Sequence, residues 1–240
     1  KLFVLGAGSN VLINDEIFDG VIIKLTKNFS KISVLNENLL VAGAATPQKK
    51  LSDFAKDNYL SGLEFMACIP GTIGGGIRMN SGCFGKEFKD VLVSLQFIDE
   101  NNIVRSLSAD KIHFGYRKTD LPKDIIFLSA TFKCFKKNKN TIEEHINELK
   151  DKKEKSQPSK IKTGGSTFKN PVEKSKKKVW ELIKESLPEK ISFGDAHISK
   201  MHYNFFVNQK NATYKDMMSL INYVKEKVKK KTGINIELEI

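Results

Sequence analysis

Short apolar runs rich in β-branched residues dominate the first 135 residues of the chain and predict β-strands. The clearest runs read GVIIKL, NLLVAGA, VLVSLQFI and DIIFLSATFKCF, and Asp, Asn and Gly separate them. One helix interrupts this pattern, because Thr46 supplies an N-cap before Pro47 and apolar residues then recur at helical spacing. The predicted buried stripe of that helix comprises Leu51, Phe54, Ala55 and Tyr59.

After residue 140 the pattern changes to one that predicts helices. The segment TIEEHINELKDKKEK predicts the first of them, since Thr141 and Glu144 have the spacing of a capping box. In the last predicted helix, Thr213 is the cap and Gly233 the stop, and a final strand, INIELEI, follows it. The apolar positions of this last helix are Tyr214, Met217, Met218, Ile221, Val224 and Val228.

A polar stretch, KEKSQPSKIKTGGSTFKNP, separates the two kinds of pattern. It contains Pro158, Pro171 and a Gly pair, and it predicts either a domain junction or a functional loop. A chain of 240 residues is long enough to bury a substantial core. We therefore predict an α+β protein with two regions, near residues 1–155 and 156–240.

The composition narrows the class of protein. No apolar run approaches the roughly 20 residues of a membrane helix, so we expect a soluble protein without membrane insertion. The three cysteines form no Cys-x-x-Cys pair, which disfavours a disulfide framework and a zinc site and favours a reducing cytoplasm. The chain starts at Lys1 without a signal-peptide pattern, and we expect it to be truncated at its N-terminus.

The net charge of +12, from 40 Lys plus Arg against 28 Asp plus Glu, leaves three interpretations open. Lysines on solvated helix faces, as in KEKVKKKTG, are the simplest of them. The charge also fits an anionic small substrate, which it would steer toward the protein. A nucleic-acid partner would require aromatic residues interleaved with Arg on one face, whereas the Phe residues here mostly follow core spacing.

Two glycine-rich loops carry the first candidate chemistry: LGAGSN at residues 5–10 and IPGTIGGGIRMNSGCFG at residues 69–85. Successive backbone N–H groups in such loops can bind an anion, and a pair of tight turns explains each loop equally well. The first loop is not a dinucleotide-binding fingerprint, because Val11 stands where the third Gly is required. The second lacks the Gly-Lys-Ser/Thr of a Walker A motif, which argues against a nucleoside triphosphatase.

Six segments of the chain together carry a resemblance to a known family. In chain order they are LGAGSNVLINDEIFDGVIIKL, IPGTIGGGIRMNSGCFG, FGYRKTD, GGSTFKNP, GDAHISKMHYNFFVN and GINIELEI. With them the chain resembles the bacterial UDP-N-acetylenolpyruvoylglucosamine reductases, flavoproteins of peptidoglycan precursor synthesis. The resemblance implies an FAD-binding part of the p-cresol methylhydroxylase type, in two subdomains, and a C-terminal α+β substrate-binding domain. Family members carry a further N-terminal segment, so the first subdomain is expected to be truncated here.

The domain boundaries implied by the resemblance divide the chain into three parts. Residues 1–22 are the remainder of the first FAD-binding subdomain and residues 23–155 are the second. Residues 156–240 are the substrate-binding domain, which ends in a catalytic strand.

The resemblance implies an enzyme that reduces UDP-N-acetylglucosamine enolpyruvate to UDP-N-acetylmuramate, with FAD as cofactor and NADPH as hydride donor. In the family, the flavin N5 gives hydride to the enolpyruvyl group, negative charge builds on the carboxylate side, and a proton then reaches the neighbouring carbon. We expect a cytoplasmic monomer whose partners are NADPH and the UDP-sugar, without nucleic acid. No His, Cys and carboxylate cluster has metal-ligand spacing, so no metal is predicted.

The resemblance gives three residues catalytic roles. Arg117 would bind the substrate carboxylate and stabilise the enolate, Ser166 would donate the proton, and Glu239 would be the catalytic carboxylate. Local sequence alone favours simpler explanations, namely an ion pair for Arg117, a turn for Ser166 and a solvated edge for Glu239. His202 in MHYNFF would either touch substrate or be structural.

In the family, the two glycine loops approach the FAD pyrophosphate through backbone amides. The matching residues are Gly6, Ala7, Gly8, Ser9, Asn10, Pro70, Gly71, Thr72, Gly74 and Gly75. The substrate-binding set is Tyr116, Arg117, Lys155, Lys169 and Asn170. Two alternatives are another FAD-linked oxidase of the same fold, which would lack the three catalytic residues together, and a basic nucleic-acid-binding protein.

Overall fold

The structure, a computed structural model, describes residues 1–158, 161–188 and 191–240, and the chain divides into two units. The N-terminal unit contains Lys1–Gly8 and Phe18–Lys153, and the C-terminal unit contains Ser9–Ile17 and Glu154–Ile240. Each unit has a hydrophobic core of its own. Helices and strands occur together in both units, which confirms the predicted α+β class.

The N-terminal unit holds most of the strands. They are β1 (Leu2–Val4), β2 (Val21–Ile23), β3 (Ile32–Asn36), β4 (Leu39–Gly43), β5 (Leu60–Ser61), β6 (Gly82–Cys83), β7 (Lys86–Glu87), β8 (Leu92–Ile98), β9 (Val104–Ser108), β10 (Phe114–Gly115), β11 (Lys118–Thr119), β12 (Ile126–Lys133) and β13 (Phe135–Lys136). The helices are α1 (Gln48–Asp57), α2 (Ile73–Arg78) and α3 (Lys139–Ser156), and short 3₁₀ helices lie at Lys27–Phe29, Glu64–Cys68, Phe88–Asp90 and Ala109–Lys111.

Five strands form the main antiparallel sheet of the N-terminal unit, in the order β3, β4, β12, β8 and β9. Their alternating side chains turn one face toward the core, where Leu40, Leu95 and Phe132 are buried. A register shift in β12 allows both Phe127 and Ala130 to be buried although they are three residues apart. The four apolar runs quoted above predict β2, β4, β8 and β12 correctly.

Helix α1 lies where the pattern predicts it, and its two ends differ from the prediction. Leu51 and Ala55 are buried, as expected. The predicted N-cap is wrong, because α1 starts directly after Pro47 without a side-chain cap bond, and Thr46 is itself wholly buried. Tyr59 lies beyond the helix at a φ of +60° and is 56% exposed, so it does not belong to the buried stripe.

Helix α3 begins earlier than the predicted capping box. Asn138 Oδ1 accepts the Asn140 N–H at 2.9 Å, which caps the helix. Thr141 and Glu144 consequently lie inside α3 rather than at its start. The prediction failed because two polar residues three positions apart compete as caps, and the chain uses the first.

The C-terminal unit contains β14 (Thr163–Ser166), α4 (Val179–Ser186), β15 (Ser192–Phe193), β16 (Ala196–Ile198), β17 (Phe205–Asn208) and α5 (Tyr214–Thr232). These four strands form an antiparallel sheet in the order β14, β17, β16 and β15. The helices and the sheet share one core, which includes Phe168, Leu182, Ile183, Phe206, Leu220, Ile221, Val224, Val228 and Ile236. Burial of this apolar surface holds the unit together.

Helix α5 has the boundaries that the sequence predicts. Thr213 and Asp216 form a capping box, in which the Thr213 Oγ1 accepts the Asp216 N–H at 3.1 Å. Gly233 ends the helix in the left-handed conformation, at a φ of +74°. Local sequence suffices here because both ends carry residue types whose capping geometry is strongly preferred.

The end of the chain is less regular than the predicted final strand. Residues 237–239 pair with residues 167–169 through a single bridge between Phe168 and Leu238 and two main-chain hydrogen bonds of 2.9 Å. The predicted catalytic strand is therefore an extended segment rather than a regular strand. Its partner lies beyond the end of β14, where only a short length of backbone is available for pairing.

The division into units differs from the predicted domain boundaries in two ways. The structure has no division between residues 22 and 23, because Phe18–Lys153 belongs to one unit. Residues 9–17 fall within the predicted 1–22 subdomain, whereas they group with the C-terminal unit in the structure. One of their contacts illustrates this grouping, because the Asp15 carboxylate accepts the Tyr214 N–H at 2.7 Å, at the start of α5. The other predicted boundary, after residue 155, lies two residues from the division after residue 153.

Gly76 in α2 provides a prediction about stability. A Cβ at this position would overlap the ring of Phe88, which is fully buried. We expect Gly76→Ala to lower the free energy of unfolding by about 1–3 kcal/mol, because the ring cannot move aside without disturbing the core. Urea denaturation measures the difference.

The neighbouring Gly75→Ala is a matched control for Gly76→Ala. A Cβ at Gly75 would meet only Thr72 Oγ1, at 3.6 Å. Helix propensity should therefore make this variant neutral or more stable by up to about 1 kcal/mol. Equal stabilities of the two variants would contradict the packing argument.

Candidate active site

The two glycine-rich loops lie side by side in the N-terminal unit. A Cβ at Gly6 would come within 2.8 Å of Thr72 Oγ1, so the two loops approach each other too closely for a side chain at residue 6. Gly8 and Gly71 have φ values of +75° and +119°, which favour glycine. Loops of this kind expose backbone N–H groups to an anion, and this backbone chemistry fits the pyrophosphate of FAD.

Two predicted cofactor-binding glycines already use their amides within the fold. The Gly74 N–H donates to Ala44 O at 2.9 Å, and the Gly75 N–H donates to Thr72 Oγ1 at 3.4 Å. A Cβ at Gly74 would lie 3.3 Å from Ala44. Gly74 therefore packs closely against Ala44 from the first turn of α2, and its amide is not the group that would meet a cofactor.

The first loop is divided between the two units. Ala7 is exposed in the N-terminal unit, as is Pro70 of the second loop. Ser9 and Asn10 belong to the C-terminal unit, where Asn10 Nδ2 donates to Glu239 O at 2.8 Å. The glycine pattern does not predict this contact between Asn10 and the end of the chain.

Arg117 stands at the corner of the hairpin that joins β10 to β11. Gly115 pairs with Lys118 across this turn, and Arg117 has a φ of +55°. The left-handed conformation costs a residue with a Cβ roughly 1–2 kcal/mol. A residue held in this conformation is a candidate for a functional role, and its side-chain contacts decide what it can do.

The Arg117 guanidinium is held by acceptors of the N-terminal unit, and its side chain is only 18% exposed. Nη2 donates to Gly82 O at 3.0 Å, and Nη1 lies 3.6 Å from Glu87 Oε1. Its central carbon is 5.0 Å from the centroid of the Tyr116 ring. The structure thus places Tyr116 and Arg117 together, with a planar cation of the type that binds carboxylates by two parallel hydrogen bonds.

Two free thiols lie beside this arrangement. Cys83 follows Gly82 in β6, and its thiol is hydrogen-bonded to that of Cys68. This bond, followed by burial, raises the pKa of Cys83 above its ordinary value. The same bond, opposed by burial and assisted by nearby lysines, lowers the pKa of Cys68 to about 7. Cys83 therefore remains a neutral thiol near the arginine.

Backbone pairing brings Ser166 and Glu239 to neighbouring positions in the C-terminal unit. The Glu239 N–H donates to Thr167 O at 2.9 Å, so residue 239 lies beside the residue that follows Ser166. Both Ser166 and Glu239 are half-buried. Gly164 also lies beside the end of the chain, since a Cβ there would lie 3.4 Å from the Ile240 side chain. The residues predicted to supply the proton and the carboxylate therefore lie on two paired segments of this unit.

The two acids at the end of the chain have different environments. The Glu237 side chain is 68% exposed, and its carboxylate lies 3.7 Å from Lys174 Nζ. Glu239 is half-buried, and its carbonyl accepts the bond from Asn10. Protection from water favours proton transfer by a carboxyl group, so the geometry supports Glu239 over Glu237.

Asn204 fixes the backbone of the segment that follows Ser166, a role that the sequence pattern did not predict. Asn204 is 3% exposed, its Oδ1 accepts the Phe168 N–H at 2.9 Å, and its Nδ2 donates to Phe168 O at 2.8 Å. Its own carbonyl accepts the Thr167 N–H at 2.8 Å. The available signal was a polar residue inside the apolar run MHYNFFVN, where it requires internal partners.

Removal of the Asn204 side-chain amide is predicted to destabilise the fold. Asn204→Ala would leave the buried N–H and carbonyl of Phe168 without partners, so we expect the free energy of unfolding to fall by about 2–5 kcal/mol. Asn211→Ala, at an exposed position of the same unit, should change it by less than about 0.5 kcal/mol. Urea denaturation compares the two, and similar losses would show that Asn204 does not lock the segment.

The predicted substrate-binding residues of the C-terminal unit lie in two places. Lys169 and Asn170 follow the segment paired with the chain end, and both are half-buried. Asn170 Oδ1 accepts the Val179 N–H at 3.0 Å and so helps to start α4. Lys155 is exposed on the last turn of α3. Lys169 and Asn170 therefore lie near Ser166 along the chain, and Lys155 does not.

His202 has the contacts of a structural residue. Its ring packs against those of Trp180 and Phe205, with centroids 6.2 and 4.8 Å away, and Nδ1 accepts the Asn204 N–H at 3.2 Å. Burial lowers the pKa of His202 below its ordinary value, so the ring is neutral at pH 7. These contacts favour the structural alternative over direct binding of substrate.

Metal and membrane features can be assessed over residues 1–158, 161–188 and 191–240. Within those ranges, no group of three or more His, Cys, Asp or Glu side chains could hold a metal ion. None of the helices there combines the length and the hydrophobicity that crossing a membrane requires.

Comparison with known proteins assigns both parts of the chain. Residues 1–108 match the FAD binding domain, and residues 157–240 match the C-terminal domain of UDP-N-acetylenolpyruvoylglucosamine reductase. The UDP-N-acetylenolpyruvoylglucosamine reductase of Pelagibacter ubique (strain HTCC1062) is 62% identical over 240 residues, which are 100% of this chain and 80% of that protein. The chain belongs to the UDP-N-acetylenolpyruvoylglucosamine reductase family.

More distant members of the reductase family agree with this assignment. The enzyme of Rickettsia bellii (strain RML369-C) is 43% identical over 235 residues, which are 98% of this chain and 77% of that protein. The crystal structure of UDP-N-acetylenolpyruvylglucosamine reductase (MurB) from Thermus caldophilus superposes with a TM-score of 0.87 at 32% identity, covering 99% of this chain and 84% of that one. As a UDP-N-acetylenolpyruvoylglucosamine reductase family member with an FAD-binding domain, the chain is an oxidoreductase.

Proposed function

We propose that the chain reduces UDP-N-acetylglucosamine enolpyruvate to UDP-N-acetylmuramate, with NADPH as reductant and FAD as cofactor. The pairing that sets Glu239 beside the Ser166 segment, through a 2.9 Å bond to Thr167 O, carries this proposal. A hydroxyl and a half-buried carboxyl on two paired segments suit a reaction in which a carbon must be protonated. Family membership over the whole chain supports the same reaction.

The glycine loops would hold the cofactor. Gly6 allows the first loop to approach Thr72 of the second closely, and the backbone of Gly8 and Gly71 adopts conformations suited to an anion-binding loop. FAD, when bound, accepts two electrons from NADPH and delivers them to the substrate as hydride. The protein's own groups bind the substrate, orient it, exclude water and supply the proton.

Arg117 would bind the enolpyruvyl carboxylate. Its guanidinium can donate two parallel hydrogen bonds, and it lies where water access is limited, with 18% of the side chain exposed. Reduction of the double bond places negative charge next to that carboxylate, and a fixed cation lowers the energy of this state. Tyr116 borders the same hairpin and would contact the substrate there.

Ser166 would donate the proton to the carbon next to the carboxylate. Serine is a weak acid, so the alkoxide that it leaves requires stabilisation. Lys169, three residues further on, would supply positive charge, and the Glu239 carboxyl on the paired segment would exchange a proton. These roles require all three groups in the C-terminal unit to be ordered, as the pairing of residues 167–169 with 237–239 provides.

The remaining predicted residues would bind the UDP-sugar. Lys155, Lys169 and Asn170 offer cationic and amide groups to it, and the net charge of +12 attracts both anionic substrates. The cysteines among the described residues are free thiols, which supports a cytoplasmic enzyme. We propose a monomer, since one chain supplies every predicted catalytic residue.

The purified protein tests this proposal directly. It should show a flavin absorbance spectrum and oxidise NADPH in proportion to added UDP-N-acetylglucosamine enolpyruvate, with a product heavier by two hydrogens. An oxidase of the same fold would consume oxygen without needing the enolpyruvyl compound. A colourless protein that shifts nucleic acid in a gel would overturn the proposal.

A further inference from the structure

Asn80 is the most completely buried polar side chain near Arg117, with no exposed surface. Its Nδ2 donates to Glu87 Oε2 at 3.0 Å and to Gly115 O at 3.1 Å, and its Oδ1 accepts the Lys89 N–H at 3.0 Å. Every hydrogen-bonding position of this amide except one acceptor lone pair is therefore used. Asn80 also has a φ of +40°, a conformation that Asn tolerates better than most residues.

Two of the three hydrogen-bond partners of Asn80, Gly115 and Glu87, determine where Arg117 lies. Gly115 is the first residue of the hairpin turn that carries Arg117, and Glu87 is the carboxylate beside its guanidinium. Glu87 is held from the other side as well, because Lys89 Nζ lies 3.0 Å from its Oε2. One buried amide thus ties the backbone of the arginine to the arginine's acidic partner.

We propose that Glu87, fixed by Asn80, is the positioning residue for Arg117. The inference rests on the proposed role of Arg117 in binding the substrate carboxylate. Arg117 reaches Gly82 O with Nη2 and faces Glu87 with Nη1, so one neutral and one charged acceptor set the plane of the guanidinium. Without the charged acceptor, a long side chain on a hairpin corner would sample several rotamers, and its hydrogen bonds to a carboxylate would be misdirected.

Glu87→Gln is the most informative variant, because glutamine keeps the shape of the Glu87 side chain and removes its negative charge. A glutamine must direct its NH₂ group either toward Asn80 and Lys89 or toward Arg117, and each of these partners is a donor. We expect reoxidation of the bound flavin by the enolpyruvyl substrate to slow about tenfold to a hundredfold. Reduction of the flavin by NADPH should change by less than about twofold, since Arg117 has no proposed part in it.

Ligand binding gives a second readout that does not depend on turnover. UDP-N-acetylmuramate carries a lactyl carboxylate that UDP-N-acetylglucosamine lacks. Titration calorimetry on the FAD-loaded protein should show that Glu87→Gln weakens the first ligand about tenfold and leaves the second unchanged. A purely structural role for Glu87 would weaken both ligands, or lower the fraction of active protein, by the same factor.

Asp99→Asn is a matched control, because Asp99 Oδ2 accepts the Arg105 Nε–H at 2.9 Å in the same unit and neither residue is in the proposed site. Both half-reactions of this variant should match those of the unsubstituted protein. Combining Glu87→Gln with Arg117→Lys completes a double-mutant cycle, and in the Arg117→Lys background Glu87→Gln should change the rate by less than about twofold.

The results of these experiments distinguish the positioning role of Glu87 from the proposed substrate-binding role of Arg117. Equal slowing of both half-reactions by Glu87→Gln, or additive effects in the cycle, would overturn the positioning role. If Arg117→Lys leaves the enolpyruvyl half-reaction and UDP-N-acetylmuramate binding unchanged, the proposed role of Arg117 is wrong, and the positioning inference is wrong with it. Selective slowing by Arg117→Lys without an effect of Glu87→Gln would keep the first and reject the second.

Discussion

Replacement of Ser166 by alanine is expected to slow reoxidation of the reduced flavin by the enolpyruvyl substrate by about a hundredfold or more, the usual effect of losing a positioned proton donor. Reduction of the flavin by NADPH should remain nearly intact, because no proton from Ser166 is needed in that step. The fold should tolerate the change, since the main chain of this segment makes the contacts to Phe205 and to the chain end.

Stopped-flow absorbance follows the two half-reactions separately in the same preparation. Ser192→Ala is the matched control, because Ser192 is exposed on β15 in the same unit and has no proposed role. Its rates should equal those of the unsubstituted protein. If Ser166→Ala slowed both half-reactions together, or neither, Ser166 would not be the proton donor.

Local sequence was sufficient where an element carries its own end signals. Helix α5 has Thr213 with Asp216 at one end and Gly233 at the other. Its apolar residues recur at helical spacing, which distinguishes it from a strand. The strands β4, β8 and β12 were predicted by apolar runs bounded by turn residues. These elements were predictable because the interactions that define them lie within a few residues.

Helix starts were less predictable, because neighbouring polar residues compete. Asn138 caps α3 in place of Thr141, and α1 begins after Pro47 although Thr46 has the right residue type. Thr46 is wholly buried, so tertiary packing determines its environment. Tyr59 fits the helical period but lies past the end of α1, where the backbone turns to a φ of +60°.

In the candidate site, too, local sequence did not predict contacts between residues that are far apart along the chain. Family motifs predicted roles for Arg117, Ser166 and Glu239, and in the structure Glu239 pairs with Thr167, the residue after Ser166. The residues that hold them in place, Asn80 and Asn204, were not predicted. Each bonds to groups far away along the chain, up to 36 residues for Asn204, and no local pattern records which distant carbonyl a buried amide will meet.

Arg117→Gly is expected to separate stability from activity. The φ of +55° at the hairpin corner favours glycine, so the substitution relieves roughly 1–2 kcal/mol of backbone strain. It also removes the guanidinium contacts to Gly82 and Glu87, which offset that gain. We expect the free energy of unfolding, measured in urea, to change by less than about 1 kcal/mol. The enolpyruvyl half-reaction should fall by about a hundredfold to a thousandfold, as for loss of a donor to developing negative charge.

Tyr59→Gly is the control that makes this result specific. Tyr59 shares the left-handed conformation, at a φ of +60°, but follows the C-cap of α1 and is 56% exposed, outside the proposed site. Glycine is the preferred residue at this position after a helix, so the variant should be as stable or more stable and fully active. A loss of activity confined to Arg117→Gly shows that the arginine occupies a strained corner because of its guanidinium. If Arg117→Gly kept its activity, the strain would be unexplained by catalysis, and Arg117 would be one half of an interior ion pair with Glu87.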